Sequence, residues 1–74
     1  MMLGLLINEM EQKEIEYLIK RELDELLLDL EDYRIDFRVK DGMKERYHKL
    51  FQLLLRVANE NECLPYLPTK MKYK

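Results

Sequence analysis

Apolar residues recur along this chain at alternating steps of four and three. One ladder comprises Ile19, Leu23, Leu26, Leu30, Tyr33 and Phe37; a second comprises Met43, Tyr47, Leu50, Leu54 and Val57. That spacing keeps one stripe of an α-helix turned toward a neighbouring helix. The ladders mirror each other about Asp41-Gly42. Folding there sets Phe37 on Met43, Tyr33 on Tyr47, Leu30 on Leu50, Leu26 on Leu54 and Leu23 on Val57. The pattern therefore predicts an all-α fold, an antiparallel helical hairpin. Its first helix covers about 9–40, its turn 41–42 and its second helix about 43–59.

Local signals support these bounds. Asn8 followed three residues later by Glu11 is a capping-box signature. No proline or glycine interrupts residues 9–40, and Glu16 precedes Lys20 by one helical turn, a stabilising order. Gly42 suits the left-handed conformation that ends many helices, and Asp41 can supply a side-chain oxygen to the turn. Beyond Asn59, Pro65 and Pro68 oppose helical growth, so residues 63–74 read as an extended, basic tail. Residues 1–8 read as an apolar extension docked on the hairpin, and residues 1–74 as one domain. Met10 offers an alternative start to the helix-forming segment.

One stretch carries a competing signal. Tyr33 to Val39 alternates apolar and charged residues at period two and runs into Lys-Asp-Gly, a strand-and-turn signature. The alternative is a small α+β unit with a strand at 33–39 paired to residues 2–7. No second alternating run follows the Asp-Gly pair, and a two-stranded sheet is marginal alone. The helical ladder passes through Tyr33 and Phe37 unbroken, which favours the helix.

The helices also carry more apolar surface than a hairpin can hide. Tyr17, Leu28, Ile35 and Val39 project opposite the first ladder, and Phe51, Leu53, Leu55 and Ala58 flank the second. Burying one such side chain contributes about 1.5–3 kcal/mol, so a cover is expected. The candidates are the two termini, a second copy forming a four-helix dimer, or another protein. Tyr17, Leu28, Ile35 and Val39 are thus the candidate protein interface.

Charge adds an asymmetry. Residues 9–41 hold twelve acids and six bases, whereas residues 42–74 hold seven bases and three acids, within an overall net charge of −2. Arms of opposite sign attract along a shared seam. With one cysteine there is no internal disulfide, and one His beside one Cys makes no closed metal site, so no metal is expected. A domain this small commonly gains stability by oligomerising. The apolar run at residues 1–7 lacks a basic flank and is too short for a signal or a membrane span. A cytoplasmic protein with no membrane partner is the expectation.

The catalytic inventory is short: no Ser, one Thr, one His and one Cys. His48 with Cys63 is the single nucleophile–base pairing available. Its simpler reading is a solvated helix residue and a small apolar filler. No glycine-rich loop is present to cradle a phosphate, and no cofactor is indicated. Pro65 and Pro68 match the P-x-x-P spacing of polyproline ligands. Arg46, Lys49 and Arg56, with Lys70, Lys72 and Lys74 around Tyr73, form a candidate nucleic-acid surface. The sequence thus points to a non-catalytic protein–protein interaction module or regulator. Its partner is itself or an unidentified protein, and nucleic-acid binding is the alternative.

Overall fold

The computed structural model describes residues 1–68, and the described chain is all-helical, with no strand. Helix α1 spans Glu9–Glu31, α2 Phe37–Val57 and the one-turn α3 Glu60–Cys63, followed by a 3₁₀ turn, Leu64–Tyr66. No described helix is long and apolar enough to cross a membrane.

The start of α1 is fixed by the expected capping box. The Glu11 N–H donates to Asn8 Oδ1 at 2.8 Å and the Asn8 N–H to Glu11 Oε1 at 2.9 Å. Two orphan amides at the helix start are thereby satisfied.

The turn lies elsewhere than at 41–42. α1 stops at Glu31, where Asp32 turns extended and its Oδ1 accepts the Arg34 N–H at 2.9 Å. The Arg34 guanidinium grips the same carboxylate at 3.0–3.1 Å. That pairing holds the Asp32 carboxyl below its ordinary range. Four residues on, Asp36 caps α2 by accepting the Arg38 N–H at 2.8 Å. Two aspartates thus make the bend, each offering a side-chain acceptor that competes with helical continuation. Asp41 and Gly42 lie inside α2, and Gly42 has no positive φ. Residues 33–39 are neither strand nor continuous helix; they are the bend and the first residues of α2.

This relocation changes the register. A fold at 41–42 would set Leu23 against Val57; instead its neighbour Glu22 meets Arg46, 3.5 Å away. Val57 takes a hydrogen bond from Gln12, close to the start of α1. The first ladder holds through Ile19, Leu23, Leu26 and Leu30 and then fails, because Tyr33 and Phe37 are exposed. The second ladder holds throughout and gains Phe51. The core is Ile19, Leu23 and Leu26 of α1, Tyr47, Phe51 and Leu54 of α2, and Cys63.

The tail is not extended where the structure describes it. α2 ends at Val57, Ala58 turns extended, and the Asn59 side chain caps α3 by accepting the Glu62 N–H at 3.0 Å. Pro65 fits the 3₁₀ turn because the first turn of a helix needs no amide donor there. The segment folds back across α1 and α2 and inserts Cys63 into the core.

Candidate interaction surface

Three polar contacts latch the folded-back segment. Lys20 of α1 bridges Glu16 at 2.9 Å and Glu62 of α3, and its pKa rises chiefly through the bond to Glu62. Tyr47 Oη donates to the Tyr66 carbonyl at 2.7 Å, and Tyr66 Oη donates to Asp24 at 3.3 Å. Burial pushes Tyr47 up to about 12, and raises Tyr66, with the Asp24 charge adding to it. The latch occupies one side of the α1–α2 seam. Lys20 and Asp24 stand on that side of the Ile19–Leu23–Leu26 stripe, and Glu22 stands on the other.

Among the described residues, no hydrogen-bonded segment latches the side marked by Glu22 and Arg46. Leu18 of α1 is 55% exposed there and Leu53 of α2 is 44% exposed, above the half-buried Leu50 and Val57. Residues 3–7 run beside the end of α2. Leu3, Leu5 and Ile7 with Leu53, Arg56 and Val57 enclose an open, mostly apolar groove of about 520 Å³. The expected docking of the N-terminal extension is therefore partial, since Met2 and Leu6 project almost wholly into solvent.

A second apolar line runs along the outer face of α1. Tyr17 is 57% exposed and Leu28 68%, and Met10 joins them at a compatible helical spacing. Met10 was legible in the sequence from that spacing, seven residues before Tyr17. The other two members of the proposed interface separate from the line. Ile35 is half-buried in the bend, where its N–H donates to the Asp32 carbonyl, and Val39 belongs to α2. Tyr17 and Leu28 share one exposed face of α1, about three turns apart, and Ile35 and Val39 do not lie on it.

The basic candidates divide similarly. Arg46 is paired with Glu22, while Lys49 and Arg56 are exposed on α2. Lys70, Lys72 and Lys74 lie outside the described residues. Tyr66, between Pro65 and Pro68, is held in the 3₁₀ turn by hydrogen bonds at its carbonyl and hydroxyl. That geometry is not a polyproline II ligand.

Among the described residues, the candidate pair His48 and Cys63 is not assembled. Cys63 is a buried free thiol whose pKa is raised by burial, the opposite of an activated nucleophile. His48 is exposed on α2, and no hydrogen bond joins the two. Among the described residues no group of three His, Cys, Asp or Glu side chains is placed to hold a metal ion. Compared with protein-family models, curated proteins and solved structures, the chain matches none.

Proposed function

We propose that this chain is a non-catalytic helical interaction module that docks another protein and self-associates into a four-helix assembly. On this reading α1 and α2 form an antiparallel hairpin, braced on one side by the folded-back segment. The supporting observation is the persistence of large exposed apolar side chains on two faces after that segment has folded back. Exposed apolar lines rimmed by charge are characteristic of interaction surfaces. The outer line of α1 is the docking surface for the partner protein, with Tyr17 and Leu28 as anchors. Asp24, Glu14 and Glu25 beside it favour a basic partner. The free, buried Cys63 fits a reducing, cytoplasmic setting.

Leu28→Glu tests this reading. The variant keeps its helical circular dichroism and loses a protein that the unaltered chain retains in a pull-down. Equal retention by both chains, or unfolding of the variant, refutes the docking line.

Nucleic-acid binding is the second reading, supported by the exposed Lys49 and Arg56 on a helix carrying six bases and two acids. It requires a gel shift at low salt that weakens steeply as salt rises. The absence of a shift on mixed DNA and RNA discards it.

A further inference from the structure

We infer that the open side of the seam, marked by Leu18, Arg46 and Leu53, is the face on which a second copy of this chain seats. In that seating α1 of each copy lies over α2 of the other. The inference rests on the self-association proposed above and assigns it a face and an orientation.

The first argument is the division of the surface. α3 and the 3₁₀ turn close one side of the seam through Lys20, Asp24 and Tyr47, so a partner hairpin cannot seat there without displacing them. The opposite side is apolar at one end, with the exposed Leu18 and Leu53 and the half-buried Leu50 and Val57, and its groove beside residues 3–7 is open. Helical spacing extends the α1 edge through Leu18, Glu22, Glu25 and Asp29, and the α2 edge through Val39, Arg46, Leu50 and Leu53. The spacing keeps each edge on one face beside the seam already used within the chain, apolar at Leu18, Leu50 and Leu53 and charged at Glu22, Glu25, Asp29 and Arg46.

The second argument is charge. α1 carries nine acids and three bases, and α2 six bases and two acids. Two hairpins stacked on this face have two symmetric arrangements. A two-fold axis across the helices sets α1 on its own copy and puts acids against acids. An axis along the helices sets α1 on the partner's α2, with the bends of both copies at the same end. The second arrangement places Arg46, already 3.5 Å from its own Glu22, against the acids of the partner's α1 edge as well. It also stacks Leu18 on the partner's Leu50 and Leu53, and brings the two apolar grooves together. Complementary charge selects it, since like-charge juxtaposition disfavours the other. The outer Tyr17–Leu28 line stays free in this assembly.

The test combines mass with cross-linking of the full chain. Light scattering over a tenfold concentration range gives twice the chain mass of 9.1 kDa. Mild oxidation of a mixture of Leu18→Cys and Leu53→Cys chains yields mixed cross-linked dimers, while Leu18→Cys alone yields few, because a disulfide needs Cα atoms within about 7 Å. Leu53→Glu becomes monomeric with its helical spectrum kept. Leu28→Glu keeps the dimer mass. A monomer at all concentrations overturns the inference, as does self-linking of Leu18→Cys that exceeds the mixed product. So does a dimeric Leu53→Glu or a monomeric Leu28→Glu. Equal retention of the partner by Leu28→Glu and the unaltered chain, with dimerisation as described, refutes the docking line alone.

Discussion

Replacing Gly42 by alanine discriminates between a turn and a helix at that position, because the two give opposite signs. Gly42 lies in the second turn of α2, is solvent-exposed and has no positive φ. A Cβ built on it meets no neighbouring heavy atom within 4 Å. Nothing in the folded state therefore opposes the substitution, and alanine restricts the unfolded chain more than glycine does. Glycine in a helix interior is less favourable than alanine by roughly 0.5–1 kcal/mol. The variant should gain that amount. In a domain of this size 1 kcal/mol moves Tm by about 4–8 °C, so the expected rise is about 2–8 °C. Thermal melting followed by far-ultraviolet circular dichroism reads it directly, and urea unfolding with an unchanged m-value confirms that the effect is on stability. A turn glycine in the left-handed region would behave otherwise, since a Cβ there costs about 1–2 kcal/mol. A fall in Tm refutes the helical assignment of Asp41-Gly42 and returns the bend to residues 41–42.

Two further predictions concern the latch. Tyr47→Phe keeps the buried ring but loses the 2.7 Å bond to the Tyr66 carbonyl, and should lower the unfolding free energy by about 0.5–1.5 kcal/mol at neutral pH; an unchanged urea midpoint refutes the latch. The same hydroxyl gives an alkaline signature, because its folded pKa lies at about 12 against an ordinary 10.0. Its stabilisation is complete below pH 10 and is lost as pH rises from there through about 12, a loss of roughly 2–3 kcal/mol at the limit. Urea midpoints at about pH 8 and about pH 11 should therefore diverge more for the unaltered chain than for Tyr47→Phe, whose remaining slope reflects Tyr66, Cys63 and Lys20. Equal slopes refute the assignment.

The candidate surface was partly legible in the sequence. Tyr17 and Leu28 stand out because an amphipathic helix packed on one side should be polar on the other, and the structure leaves both exposed on that side. Ile35 and Val39 were assigned to the same line by extending one helix through the bend, and they left it when the helix ended at Glu31. Leu18 carried no distinct signal, and Leu53 stood out only as one of several apolar flanks of the second ladder. Each flanks a buried stripe, and whether a flank is covered depends on where α3 comes to rest.

Periodicity and capping chemistry determined the helical class, the start of α1, the inward face of α2 and the first four rungs of the α1 ladder. These are properties of a few neighbouring residues, so one strand of sequence carries them. The bend was a competition between two sites with similar local chemistry, Asp41-Gly42 and the Asp32–Asp36 pair. A lone glycine inside a helix costs only about 1 kcal/mol, too little to decide it. Tertiary packing decided. A bend at 32–36 gives arms of 23 and 21 residues, which match in length along the seam. A bend at 41–42 would leave the long first arm overhanging the short second one. The earlier bend also sets Ile19, Leu23 and Leu26 against Tyr47, Phe51 and Leu54, and leaves room for Cys63 to close that core. The ladders established that two helices should pair; the matched burial of both arms and the returning segment established at which residues.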